Sequence, residues 1–220
     1  MNSISKIKEK AGFTLAEVLI TLLIIGVISS IVIPSLISNT QDAEYKTALK
    51  KVYSDLSQAT KLVMMDNGGT MKGLCTDGNN DCLRDKYLDY LSYIKKCNSG
   101  VSGCFHLANN FKYLSGTPVS GWGVDSSVIL SNGSLLDFYY PSGSSTCTAA
   151  LGTIQMCGRI HVDVNGFKSP NTIGKDIFMM YIMQTSIKPL GVQGDGYETD
   201  CSTNPPTGSG WGCAAAYLKN

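Results

Sequence analysis

From Phe13 to Ile37 the chain reads FTLAEVLITLLIIGVISSIVIPSLI, with Glu17 as its single charged side chain. Spanning a bilayer takes roughly 20 predominantly apolar residues in a helix, and this run is longer. A helix that is apolar on every side has no place on the surface of a water-soluble head. Residues 1–12, MNSISKIKEKAG, are polar and carry Lys6, Lys8 and Lys10. Basic residues ahead of a span stay cytoplasmic, so the next basic residue, Lys46, is expected on the exported side. An ordinary signal peptide fits poorly, because its apolar region is shorter and its cleavage site follows that region.

Glu17 is the anomaly in this segment. An ionisable group at membrane depth costs about 2.5 kcal/mol or more at the centre, and less near an end. Such a residue needs a partner. The positive end of its own helix is one candidate, and a free amino group nearby is a better one.

Lys8-Glu9-Lys10-Ala11-Gly12, followed by Phe13-Thr14-Leu15-Ala16-Glu17 and an apolar helix, resembles the class III signal of type IV pilins and type II secretion pseudopilins. The resemblance is specific over residues 8–37 and architectural over the rest. It implies cleavage between Gly12 and Phe13 by a prepilin peptidase, which also methylates the new amine of Phe13. It makes Glu17 the fifth mature residue, whose carboxylate neutralises the terminal amine of a neighbouring subunit. Pro34 matches the proline that the family carries in this helix. The implied partners are identical or related pilin subunits, the prepilin peptidase and an inner-membrane assembly platform. The implied location is the bacterial inner membrane, single-pass with the head outside the cytoplasm, and then a periplasmic or extracellular filament. Removing residues 1–12 takes the side-chain charge from 18 − 17 = +1 to 15 − 16 = −1.

Eight cysteines in 220 residues independently call for export. C-x-x-C metal and redox spacings are absent, and an even count at loose spacings reads as disulfides formed in an oxidising compartment. Sequential pairing, Cys75–Cys82, Cys97–Cys104, Cys147–Cys157 and Cys201–Cys213, is the expectation, since each pair is near in sequence and lies in a loop region. Closing the last loop contributes roughly 3 kcal/mol in the chain-entropy model. A net charge of +1 gives no footprint for nucleic acid.

Past the apolar run, Tyr45, Leu49, Val52, Leu56, Ala59 and Val63 recur at three- and four-residue steps, one stripe of an amphipathic helix. Asp66-Asn67-Gly68-Gly69 ends it. Gly26 and Pro34 weaken the first half, and a kink is expected there. The chain thus divides into a cleaved leader (1–12), a transmembrane or filament-core half-helix (13–37), an amphipathic half-helix (38–66) and a head (67–220). In the head, one short helix is expected near Asp85–Lys96, where Tyr87, Leu91 and Ile94 share a face. Val128–Ser131, Asn132-Gly133 and Ser134–Tyr140 read as a hairpin. Arg159–Val164 alternates, with Ile160, Val162 and Val164 inward and Arg159, His161 and Asp163 outward. Asp176–Met183 reads as a buried strand. Three to four antiparallel strands need a cover, and the helix stripe supplies one. The fold class is α+β: a long N-terminal helix packed on a small antiparallel sheet in a disulfide-bonded, type IV pilin-like head.

The stretch from Asp163 to Asp176 places oxygen side chains near glycines, as a calcium loop does, with Asp163, Asn165 and Asp176 as candidate ligands. Its spacing departs from the EF-hand, and a turn in which Asp and Asn bond their own backbone is the alternative. Cys104 with His106 is a conceivable nucleophile pair, but Cys104 is more simply half of a disulfide. No enzyme activity and no required cofactor are expected. Trp122 and Trp211 stay open between core and contact roles. Two functions remain: a filament subunit polymerising through Phe13–Ile37, or a minor subunit or tethered adhesin whose head binds a surface or ligand. Glu17 favours the first, because subunits at a filament tip can dispense with it in the family that this chain resembles.

Overall fold

The computed structural model describes residues 12–203 and 206–219. The chain forms two compact units, Met1–Ala43 and Glu44–Asn220. In chain order the elements are α1 (Leu15–Asp66), α2 (Asn80–Leu88), β1 (Tyr93–Cys97), β2 (Ser126–Leu130), β3 (Leu135–Tyr139), β4 (Ala149–Leu151), β5 (Ile154–Met156), β6 (Gly158–Asp163), β7 (Ile177–Ile182), β8 (Ile187–Pro189), β9 (Ser202–Thr203), β10 (Pro206–Thr207) and α3 (Cys213–Leu218).

In the first unit, the large apolar side chains described from Phe13 to Leu36 are exposed. Leu15–Ile33 is long and apolar enough to cross a membrane. Helical structure passes through Gly26 and Pro34 without a break. Pro34 has no N–H to offer the carbonyl one turn back, yet the helix goes on beyond it. Ser30 and Thr40 turn their hydroxyls onto the Val27 and Leu36 carbonyls, at 2.7 and 2.9 Å, within this weakened stretch.

In the second unit, the stripe Tyr45, Leu49, Val52, Leu56, Ala59 and Val63 is buried. The helix ends through a Schellman motif. Gly68 takes a positive φ of 69°, and the Gly69 N–H reaches back to the Met64 carbonyl at 2.7 Å. A side chain at Gly68 would strain that left-handed turn. The Asn67 amide donates to the Thr70 and Lys72 carbonyls, steering the chain away from the helix axis.

The main sheet has six strands in the order β1-β2-β3-β6-β7-β8, all neighbours antiparallel. That exceeds the three to four strands expected. β1 and β8 were the ones missed, being short and lying at the two edges. Val128, Leu136, Phe138, Ile160, Val162, Phe178, Met180 and Ile182 share one core with the α1 stripe. Leu135, Ile177, Met179 and Tyr181 join a second core with Phe105, Phe111, Val119 and Trp211. The sheet is therefore covered on both faces. His161 and Asp163, expected to face solvent, are buried, because residues 98–125 and the segment around Trp211 form a layer over them. Those segments lack helical or strand periodicity, so their apolar side chains gave no signal of a common face.

The short helix lies earlier than expected. α2 starts at Asn80, capped by the Asn79 side chain accepting from the Cys82 N–H at 3.0 Å. Residues from Tyr93 onward, placed in the helix by sequence, are instead strand β1. Pairing with β2, which is distant in sequence, overrides the local apolar spacing. Arg84, fully buried on α2, donates to Asp81, Asp85 and the Cys97 carbonyl, tying the helix to β1. At the C-terminus, α3 buries Cys213 and Ala214 against the same core as α1, and Ala215 is buried as well. Disulfides join Cys75 to Cys82, Cys97 to Cys104, Cys147 to Cys157 and Cys201 to Cys213.

The two halves of α1 respond differently to truncation. Leu56→Ala is expected to lower stability by about 3 kcal/mol, through lost burial and the cavity left behind. Ile25→Ala, on the exposed half, is expected to leave it unchanged. Thermal melts of the full chain in detergent micelles, followed by near-UV circular dichroism, distinguish the two.

Candidate functional site

Two regions carry chemistry: the start of α1 and a polar layer inside the head. At the first, Gly12 and Phe13 precede the helix and are exposed. Thr14 and Glu17 form a reciprocal capping box. The Thr14 N–H and hydroxyl donate to Glu17 Oε2 at 2.9 and 2.8 Å, and the Glu17 N–H donates to Thr14 Oγ1 at 3.3 Å. The partner that Glu17 requires is thus available within its own chain, at the positive end of its own helix. Thr14 was the residue overlooked in the sequence. The pattern T-x-x-E ahead of an apolar run is a legible signal for such a cap.

The second region is the covered face of the sheet. Strand register sets Ser127 opposite Asp137 and Asp137 opposite His161. It sets Arg159 between Tyr139 and Tyr181. His161 Nδ1 meets Asp137 Oδ2 at 3.2 Å, both fully buried. Burial, reinforced by the charge of Arg159, holds the His161 imidazole well below its ordinary range, so it is neutral. Burial and the nearby Asp125 carboxylate push Asp137 well above the usual carboxylate range. Trp122 packs edge-on to His161, at 4.4 Å between ring centres, and stacks on Trp211 at 5.8 Å. The two tryptophans are therefore a lid on the polar layer. Asp125 is pushed up to about 6 by burial, against the pull of Arg159 and a hydrogen bond from Asn80.

The stretch read as a possible calcium loop has its oxygens largely committed. Asp163 Oδ2 meets His106 Nε2 at 2.7 Å, and Asp163 Oδ1 accepts the Asn165 N–H at 3.0 Å. Asp176 accepts the Asn171 and Thr172 N–H groups at 2.8 and 2.6 Å. The Asn165 amide donates to Tyr45 and to the Ser169 carbonyl. These are the backbone-binding turns expected of Asp and Asn. Among the described residues no group of three or more His, Cys, Asp or Glu is placed to share a metal ion. Cys104 is bonded to Cys97, so it forms no nucleophile with His106.

Comparison with known proteins agrees with the first region. Residues 7–33 match the model of the prokaryotic N-terminal methylation motif. Over 62 residues the chain is 32% identical to type II secretion system core protein G of Vibrio cholerae, covering 28% of this chain and 42% of that protein. It is 34% identical over 59 residues to core protein G of Escherichia coli K12, covering 27% and 40%. For core protein G of Pectobacterium carotovorum the identity is 36% over 59 residues, covering 27% and 37%. The chain spans about two fifths of the length of these curated relatives. No solved structure gives a significant match. The chain carries a prepilin-type N-terminal motif, and its architecture is α+β and type IV pilin-like.

Asp163 supplies a pH test. Burial pushes its carboxyl up to about 6 despite the His106 bond, against about 3.9 in an unfolded chain. The folded state therefore holds the proton more tightly. Its contribution is fully present below the unfolded value and is lost as pH rises through about 6. Asp163→Asn removes that slope. The Tm of the variant relative to the parent should rise from pH 4 to pH 7 in parallel thermal melts.

Proposed function

We propose that the chain is a structural subunit of a type IV filament of the secretion pseudopilus class. In this reading a prepilin peptidase cuts between Gly12 and Phe13 and methylates the Phe13 amine. The chain sits in the inner membrane through the start of α1, with its head outside the cytoplasm, and then polymerises through that helix on an assembly platform. The observation that carries the reading is the start of α1: an exposed, predominantly apolar helix that begins just after Gly12-Phe13 and holds one carboxylate at its first turn. Relatives named type II secretion system core protein G favour a pseudopilus over a surface pilus.

The capping box gives the assembly step a physical form. Before assembly, Thr14 satisfies Glu17. During assembly, the carboxylate exchanges those bonds for the amine of Phe13 on a neighbouring subunit, which neutralises both charges away from water. Intact mass spectrometry of the membrane form is expected to give a chain beginning at N-methylated Phe13. A chain retaining residues 1–12 would overturn the reading. Glu17→Ala should still be processed and inserted, yet filament yield in electron micrographs should fall by an order of magnitude or more.

This function needs no cofactor. The amide oxygens of Asn165 and Asn171 are buried without partners among the described residues, which gives calcium a defined test. Calorimetric titration with calcium is expected to show no heat, and the Tm no shift. A rise in Tm that Asp163→Asn abolishes would instead assign a cation to the loop.

A further inference from the structure

The polar face of the sheet borders a cleft at the surface. There a cavity of about 230 Å³ is lined by Gly121, Trp122, Gly123, Asp125, Tyr139 and Arg159. The guanidinium of Arg159 lies over the Tyr139 ring, 4.2 Å from its centre. Among the described residues it makes no hydrogen bond or ion pair, and its Nε is buried without a partner. A buried donor left unmatched beside a cavity is costly, and Nε of Arg159 is such a donor. The indole N–H of Trp122 is also buried and unpartnered. Asp125 accepts one hydrogen bond, from the Asn80 amide at 3.0 Å. Glycines on both sides of Trp122 leave the mouth without side chains, and a Cβ at either would meet no atom within 4 Å.

These groups define what could enter. The wall holds one cation and one carboxylate, so it has no net charge to favour an anion or a cation. It offers donors from Arg159 and acceptors from Asp125, beside an aromatic surface. We propose that this cleft binds a neutral sugar ring, whose vicinal hydroxyls donate to Asp125 and accept from Arg159 while its C–H face lies against the aromatic wall. A ring of about a dozen heavy atoms on so open a site should bind with a Kd on the order of millimolar. The inference does not rest on filament assembly, because it concerns the second unit alone.

The test uses the full chain in zwitterionic micelles without sugar headgroups. Saturation-transfer NMR is recorded with glucose, galactose, mannose and N-acetylglucosamine, and with glucuronate and acetate as charged probes. Transfer to at least one neutral sugar is expected. Arg159→Lys keeps the charge but loses the planar fork, and Asp125→Asn keeps an acceptor for Asn80. Each should weaken binding by about tenfold or more. Asn132→Ala, on a separate turn, should not. If Arg159→Lys fails to fold by near-UV circular dichroism, Asp125→Asn, at a partly buried position, carries the comparison. No transfer from any neutral sugar, transfer unaffected by either variant, or binding of acetate and glucuronate in preference would overturn the proposal.

Discussion

The head depends on one packing arrangement, the α1 stripe laid on the sheet. Leu49 and Leu56 are fully buried in the same core as Phe138, Ile160, Phe178 and Met180. An antiparallel sheet with one apolar face is unstable in water until something covers it, and a helix with a narrow apolar stripe has the same need. Each element satisfies the other. The stripe starts at Tyr45 and stops at Val63, and Gly68 then turns the chain away into the head. The large apolar side chains described on α1 from Leu15 to Leu36 have no such partner and stay exposed.

The second face of the sheet is covered by segments of weaker local order, while three of the four disulfides lie in or against the core shared with α1. Residues 98–125 cover it without long helices or strands, and loops of that kind lose much conformational entropy on folding. The four disulfides each close a short segment, with separations of 7, 7, 10 and 12 residues. Cross-links of this kind restrict the unfolded chain and so favour the ordered loops. Beneath the loops lie His106–Asp163 and His161–Asp137, two buried pairs; burial raises the carboxyls of Asp137 and Asp163 and lowers the His161 imidazole. Polar groups there fix the layer in register, since each has few alternative partners.

Much of the architecture was legible in order along the chain. The apolar run, the helix stop at Asp66, the Asn132-Gly133 hairpin and the strands near 160 and 180 all depend on neighbours a few residues away. The motif around Gly12, Phe13 and Glu17 was legible for the same reason. Where the reading erred, distant partners decided. Tyr93 to Lys96 have helical spacing yet pair with β2, and His161 alternates as a surface residue yet lies under Trp122. The terminal helix α3 was also passed over, although its run of alanines favours helix.

The sequence by itself determined the kind of segment at each end of α1, the disulfide bonding of the eight cysteines and the strands whose periodicity is local. Only the tertiary structure decided that both faces of the sheet are buried and that Asp125, Tyr139 and Arg159 surround one cavity. Those residues come from three strands or their flanks and meet through strand register. Register is a pairing between segments far apart in sequence, and no periodicity within one segment encodes it.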